Sequence, residues 1–237
     1  MRDIIQQDNT FITRSVRLDD IDFEMCIHRA NTNRVLIMYP GADGSIDGYN
    51  SKYEKIANLL QSNNIAFVVR IDNRYCCGKL PYVEMMIVKL AFIIENIYEN
   101  AKEYFGHDNI ELCLAGVSAG AGAIATILDE FRDIKKVLLI APADGVGIDN
   151  MRRGLKNYSG ELYLIAGQED EIEAGEVAQY LFENSEAAAK RLIKIIPNCD
   201  HYFSGKKNGQ NLANSFIWAF GESDEFLRDK DGIVLYE

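Results

Sequence analysis

The 237-residue sequence predicts an α/β protein with a central, mostly parallel eight-stranded sheet, flanking helices and an antiparallel N-terminal hairpin. Two observations predict this fold class. Short apolar runs, rich in β-branched residues, alternate with longer segments in which apolar residues recur at helical spacing. Most of the short runs are apolar at nearly every position, which is typical of strands buried on both faces.

The eight predicted strands form two groups along the chain. Residues 11–27 contain two runs around Asp19 and Asp20, and in the second run apolar and polar residues alternate. Alternation with a period of two predicts strands, so we expect an antiparallel hairpin here. The other six strands are predicted from continuous apolar runs at residues 35–38, 66–69, 112–115, 137–140, 162–165 and 192–196.

Apolar residues at helical spacing lie between these strands. They predict helices near residues 53–60, 86–101, 124–131, 174–181 and 212–220. Residues 142–160 leave room for a loop and one short helix, so we expect no large lid over the sheet. No repeat, linker or break in composition interrupts the pattern, which favours a single domain of residues 1–237. The tail after residue 222 is expected either to fray or to dock as an extra strand.

Composition narrows the class of protein. The chain is 48% hydrophobic and 26% charged, as in an ordinary globular protein. Its formal net charge of −11 repels phosphate backbones and anionic membranes, so neither nucleic acid nor a membrane is an expected partner. The five cysteines lack the spacing of a disulfide framework, and the first residues lack the apolar core of a signal peptide. These features predict a cytoplasmic protein.

One motif predicts catalytic chemistry. Residues 116–120 read Gly-Val-Ser-Ala-Gly, a G-x-S-x-G motif between a predicted strand and a predicted helix. A serine on such a sharp turn points its hydroxyl away from the sheet, and the flanking glycines give the backbone room to turn. We therefore predict that Ser118 is a nucleophile. The sequence motifs of phosphate-binding loops are absent.

A serine nucleophile needs a histidine base. The chain has three histidines. We interpret His28, in the hairpin, and His107, in a polar turn, as solvated residues. His201 follows the last predicted strand, where parallel sheets place functional groups, and is predicted to be the base.

A carboxylate must hold that histidine in the correct tautomer. Asp170 follows the preceding predicted strand in the same way and is the first choice. Glu169 and Glu171 flank it, and Asp144 follows the strand before that, so these three residues stay open as alternatives.

Backbone amides must also stabilise the oxyanion that develops during acyl transfer. The turn at residues 39–45 contains two glycines, which allow amides to face a ligand. We predict that the amide of Ala42 works together with that of Ala119, the residue after the nucleophile. Asp43 is expected to point outward or to pair with Arg74.

A cationic pair, Arg152 and Arg153, lies in the short segment between two predicted strands. These arginines are candidates for binding a substrate carboxylate. The alternative interpretation is a solvated cationic patch on an acidic protein. Neither C-x-x-C nor H-E-x-x-H occurs in the chain, so no metal and no other cofactor are expected.

The order Ser118, Asp170, His201, each after a successive strand, resembles the α/β-hydrolase family over residues 34–221. The chain is most similar to compact members related to dienelactone hydrolases and serine-aminopeptidase-like esterases. The resemblance implies the α/β-hydrolase fold, with a Ser-His-Asp triad that cleaves a small carboxylic ester through an acyl-enzyme intermediate and without a cofactor.

The chain departs from the family's pattern at two positions. Pro40 stands where a histidine is familiar before the oxyanion turn, and Tyr75 stands where a glycine is usual. The first change removes a side chain that often braces the turn. Transfer of the acyl group to another acceptor, peptide or thioester cleavage, and ligand binding without catalysis are the alternative functions. The substrate's acyl and leaving groups and the oligomeric state do not follow from the sequence.

Overall fold

A computed structural model describes residues 4–5, 11–18, 21–73, 82–223 and 225–226. Within these residues, nine strands form one sheet in the order β1-β2-β3-β5-β4-β6-β7-β8-β9. The strands are β1 (Ile4–Ile5), β2 (Phe11–Leu18), β3 (Ile21–His28), β4 (Arg34–Tyr39), β5 (Phe67–Ile71), β6 (Glu111–Val117), β7 (Lys136–Ile140), β8 (Glu161–Gly167) and β9 (Lys190–Ile196).

The direction of the strands changes at β3. Strand β2 pairs antiparallel with β1 and with β3, and β3 pairs antiparallel with β5. From β5 through β4 to β9 all neighbours are parallel. The predicted hairpin and the predicted mostly parallel sheet of eight strands are therefore confirmed. The two-residue strand β1 extends this sheet at its antiparallel edge and is too short for any periodicity to reveal.

Seven α-helices occur in the described residues. They are α1 (Lys52–Ser62), α2 (Tyr82–Glu99), α3 (Ala101–Phe105), α4 (Ala119–Ile127), α5 (Ile148–Leu155), α6 (Ala174–Glu183) and α7 (Gly205–Phe220). The segment predicted as one helix near residues 86–101 is split at Asn100 into α2 and α3. Among the described residues, no helix is long and apolar enough to cross a membrane.

Helices cover both faces of the sheet. Helices α1 and α7 contact each other and strands β5 and β7, whereas α2, α4, α5 and α6 contact one another in succession. The central strands lie between these two groups, and Leu36, Leu138 and Leu164 have no solvent exposure. Burial of such side chains is the main favourable contribution to folding, at roughly 1.5–3 kcal/mol each.

Helix α7 begins at Gly205, earlier than the predicted start near residue 212. The prediction missed the first residues of the helix because they are polar and carry no apolar stripe. Near its end, Trp218 packs edge-on against Tyr163 of β8, with ring centroids 4.9 Å apart, and against Phe226 at 5.5 Å. Residues 227–237, for which we expected either fraying or an extra strand, lie outside the described part of the chain.

Candidate active site

Ser118 lies at the turn between β6 and α4, at the carboxyl end of a central strand. Its backbone has φ 55° and ψ −124°, a conformation with positive φ that non-glycine residues seldom adopt. Such a conformation costs on the order of 1–3 kcal/mol and persists because the surroundings fix it. The amide of Ser118 donates a hydrogen bond to the carbonyl of Ile140 on β7, at 2.9 Å. The turn therefore holds the serine at the edge of the sheet.

The glycine two residues after the serine is required by close packing. A Cβ atom on Gly120 would lie 2.4 Å from the carbonyl oxygen of Pro40 and 2.6 Å from that of Tyr39. Both atoms belong to backbone, so no side chain can move away to relieve the clash. The start of α4 thus rests directly on the end of β4.

His201 follows β9 and reaches the serine. Its Nε2 atom lies 3.0 Å from Ser118 Oγ, which is hydrogen-bonding distance, and only 8% of its side chain is exposed. The loop before α7 is fixed by the amide of Ser204, which donates to the carboxylate of Asp200 at 2.8 Å. The imidazole is therefore held where it can accept the serine proton.

Asp170 follows β8 and completes the chain of hydrogen bonds. Its Oδ2 atom lies 2.8 Å from Nδ1 of His201, and its side chain is 1% exposed. Its other oxygen, Oδ1, accepts a hydrogen bond from the amide of Ile172 at 3.0 Å. Among the described residues no other carboxylate forms an ion pair with His201, so none of the alternatives Glu169, Glu171 and Asp144 occupies this position.

The loop after β4 lies against Ser118. A Cβ atom on Gly41 would be 3.1 Å from Ser118 Cβ, so the absence of a side chain lets this backbone approach the serine closely. Ala42 follows in the same loop. On the other side of the serine, Ala119 is the first residue of α4, and the first amides of a helix have no intrahelical acceptor. Of the two residues whose amides are predicted to hold an oxyanion, Ala42 thus lines the same cleft as Ser118, and Ala119 directly follows the serine.

A buried asparagine, missed by our sequence analysis, braces this loop. Asn73 follows β5 and has no solvent exposure. Its Nδ2 atom donates to the carbonyl of Pro40 at 2.6 Å, and its backbone amide donates to the carbonyl of Gly44 at 2.8 Å. The hydroxyl of Tyr82 donates to the Asn73 carbonyl at 2.8 Å and accepts the Asp43 amide at 2.5 Å. These bonds fix the loop at both ends of its turn.

A second group of side chains, centred on Arg70, holds the loop further along. The guanidinium of Arg70 is buried and donates to the carbonyl of Ile46 at 3.1 Å and to the carboxylate of Asp47 at 2.5 Å. Its Nε atom donates to Nε2 of His28 at 2.9 Å, and the Nδ1 atom of that ring lies 3.3 Å from Oε1 of Gln61.

The prediction that His28 is solvated is wrong, because its ring has no exposure. Burial, together with the charge of Arg70, lowers the pKa of His28 to about 4. His28 lies on β3, which pairs with β5, the strand that carries Arg70. The sequence does not reveal this pairing, so it does not show that the histidine and the arginine meet in the interior. His107 is half-buried, with Nε2 at 3.4 Å from the carbonyl of Thr32.

The remaining predicted site residues lie apart from the serine. Arg152 and Arg153 are on α5, where Arg152 pairs with Asp149 at 3.1 Å, and neither lines the cleft at Ser118. Asp43 is exposed on the rim of that cleft, and its predicted alternative partner Arg74 lies outside the described residues.

Cys199 precedes the histidine by two residues but is not a competing nucleophile. Its side chain is buried, and burial raises the pKa of its thiol to about 12, so it stays protonated at neutral pH. In the described part of the chain, no three His, Cys, Asp or Glu side chains come together as a possible metal site.

Ser118 and His201 open onto a cleft of about 590 Å³. One side is the loop of residues 41–48, and the other carries Ile172 and Tyr202. Residues 142–160 form a 3₁₀ turn (Asp144–Val146) and the short helix α5, so this segment contains no large lid.

The chain matches no family model, and no curated protein matches it in sequence. Its structure is similar to several solved ones. A dienelactone hydrolase from Anabaena variabilis aligns with a TM-score of 0.70 and 16% identity over 89% of this chain and 98% of that one. An esterase from Pyrococcus furiosus aligns with a TM-score of 0.69 and 14% identity over 91% of this chain and 96% of that one. A lidless α/β serine hydrolase from Xanthomonas campestris aligns with a TM-score of 0.67 and 17% identity over 87% of this chain and 92% of that one. These likenesses show that the chain has the α/β-hydrolase fold.

Proposed function

We propose that this chain, which has the α/β-hydrolase fold, is a serine hydrolase that cleaves a small carboxylic ester through an acyl-enzyme intermediate. The observation that carries the proposal is the continuous chain of hydrogen bonds from Asp170 through His201 to Ser118, with distances of 2.8 and 3.0 Å. A histidine placed between a buried carboxylate and a serine hydroxyl is the arrangement that activates a serine as a nucleophile.

In the first half of the reaction, Ser118 Oγ attacks the ester carbonyl carbon while His201 Nε2 takes the hydroxyl proton. The negative charge that develops on the carbonyl oxygen is stabilised by the amides of Ala42 and Ala119. His201 then gives its proton to the departing alkoxide, so the alcohol leaves and the acyl group stays on the serine.

In the second half, water replaces the alcohol. His201 removes a proton from the water, the hydroxide attacks the acyl carbon, and the proton returns to Ser118 Oγ as the carboxylic acid is released. Asp170 stabilises the imidazolium in both halves and is not itself protonated. The open cleft supports water as the acceptor, because transfer to another acceptor requires stricter exclusion of water.

The test is labelling with a fluorophosphonate, located by peptide mass spectrometry, together with turnover of 4-nitrophenyl acetate. We expect the label on Ser118, and we expect Ser118→Ala to lose both labelling and turnover while keeping the wild-type circular dichroism. Lack of labelling in folded wild-type protein would overturn the proposal and favour a ligand-binding protein without catalysis. An added alcohol or amine that diverts the acyl group from water would favour an acyltransferase.

A further inference from the structure

A lysine lines the cleft that holds the proposed nucleophile. Lys52 is the first residue of α1, and its side chain shares the cleft with Ser118 and His201. Its ammonium nitrogen lies 5.3 Å from the ring centroid of Tyr53. In the described part of the chain, no carboxylate oxygen lies within the 4.0 Å of an ion pair with this nitrogen.

This position is unfavourable for a cation in the absence of a ligand. The N-terminus of a helix carries a partial positive charge, which repels a lysine in the first turn. Burial lowers the pKa of Lys52, and the charge of Asp200 opposes that lowering. The carboxylate of Asp200 is hydrogen-bonded to the Ser204 amide instead. A bound anion would offset both unfavourable effects.

Charges in the cleft are few. Among the described residues that line it, Lys52 is the one lysine or arginine, and Asp43 is the one carboxylate. Asp43 is exposed on the rim, so it remains hydrated and does not neutralise the half-buried lysine. Lys52 is therefore the one lysine or arginine of the described cleft that can select a ligand by its charge, and the nearby carboxylate of Asp200 offsets part of its field.

The rim of the same cleft carries three large, exposed side chains of mainly apolar character beside Asp43. Tyr49, Tyr202 and Ile172 line it and are 73%, 64% and 46% exposed. Single exposed apolar side chains are normal on protein surfaces, whereas a cluster of them at a cleft marks a binding surface. Such a rim favours a ligand with an apolar body over a small hydrophilic anion.

We propose that Lys52 determines specificity by binding an anionic group, so that the substrate is an ester that carries a carboxylate on an apolar body. A single ammonium group suits a monoanion, whereas phosphate recognition typically uses several amides or an arginine fork. This inference rests on the proposed function, because it assigns the substrate class of the hydrolysis at Ser118.

The experiment compares matched esters with and without the charge. The first pair is mono-4-nitrophenyl adipate and its methyl ester, with the carboxylate on the acyl side. The second pair is 4-acetoxybenzoate and its methyl ester, with the carboxylate on the leaving group. In at least one pair, we expect wild-type kcat/KM to be about tenfold higher for the charged member, in line with a charge-assisted hydrogen bond. High salt should reduce this ratio, because Lys52 is only partly buried.

Variants of Lys52 and Lys55, both on α1, distinguish binding of the substrate's anionic group by Lys52 from the general electrostatic field of the protein. We expect Lys52→Met to bring the charged-to-neutral ratio to about one and Lys52→Arg to keep most of it. Lys55 lies on α1 but does not line the cleft, so Lys55→Met should leave the ratio at the wild-type value. Equal turnover of both members in both pairs, or a preference that survives Lys52→Met, would overturn the inference.

Fluorophosphonate labelling, run on every variant, distinguishes the two proposals. A labelled Ser118 without charge preference would overturn the role of Lys52 alone. An unlabelled serine in folded wild-type protein would overturn the hydrolase proposal, and the inference with it.

Discussion

Two histidines of this chain occupy hydrogen-bonded groups with opposite properties. His201 lies between the carboxylate of Asp170 and the hydroxyl of Ser118 and faces an open cleft. His28 lies between the guanidinium of Arg70 and the amide of Gln61, with no solvent exposure. Among the partners of His201, the hydroxyl of Ser118 can release and take back a proton, and the carboxylate of Asp170 can stabilise the imidazolium that forms. The partners of His28 cannot exchange a proton with it, because a guanidinium keeps its protons and an amide does not titrate.

A buried, hydrogen-bonded histidine is therefore not by itself a catalytic one. The His28 group is structural, yet it acts on the same part of the site, since Arg70 holds Ile46 and Asp47 of the loop that contains Ala42. The His201 group is the one proposed to supply the reacting atoms, while the His28 group, together with Asn73, supports the loop beside them.

The sharpest test of the catalytic group is Asp170→Asn. The amide keeps the size of the side chain but cannot stabilise an imidazolium, so we expect kcat to fall by about 10³- to 10⁴-fold. Turnover of 4-nitrophenyl acetate at pH 7.5 measures the loss. Glu169→Gln is the matched control, because this neighbouring carboxylate is exposed and should leave kcat within about twofold, as surface substitutions usually do. The reverse pattern would make Glu169 the acid.

A smaller loss is expected at the supporting group. Asn73→Ala removes the donor to Pro40, so the amide of Ala42 is less well placed for the oxyanion. Loss of one oxyanion donor costs about 10²- to 10³-fold in kcat, and indirect displacement should cost less, about 10- to 100-fold. We expect kcat to fall with little change in KM, since the charge builds up only in the transition state.

The control for Asn73 is Asn100→Ala, which removes a comparable side-chain donor, to the carbonyl of Asn96 at 2.8 Å, between helices α2 and α3. A general loss of stability would affect both variants. An equal loss of kcat in both would contradict a positioning role for Asn73, as would a rise in KM alone.

Much of the architecture and the three central site residues follow from the sequence. Continuous apolar runs reveal parallel strands, and residues placed just after those strands meet at one edge of the sheet. Ser118, Asp170 and His201 are each identified in this way, because each position depends on a single strand and the turn after it.

The residues missed by the sequence analysis depend on contacts between segments distant in sequence. Asn73 contacts Pro40 across 33 positions, and Arg70 contacts His28 across 42. No periodicity shows which side chains such distant segments bring together. Lys52 is a related case, because its helical stripe is visible in the sequence but the cleft that it borders is formed by other loops.

The smallest expected effect is on stability and belongs to His28. The folded protein lowers the pKa of this ring from 6.5 to about 4, so the native state favours the neutral form. The contribution of His28 to the free energy of unfolding is therefore fully present above about pH 6.5 and is lost as the pH falls towards 4. Between pH 7.5 and pH 5.0 the free energy of unfolding should fall by about 2 kcal/mol from this residue. Urea unfolding at the two pH values measures the fall.

His28→Gln isolates that contribution, because other groups also titrate over this range. Glutamine retains an acceptor for Arg70 but carries no titrating proton, so the variant should lose about 2 kcal/mol less than the wild type between the two pH values. If His28→Gln does not fold, the Cε1–H resonance of His28 in the wild type serves instead. It should stay constant from pH 8 to pH 5, and a shift centred near pH 6.5 would show that the ring titrates as a solvated histidine.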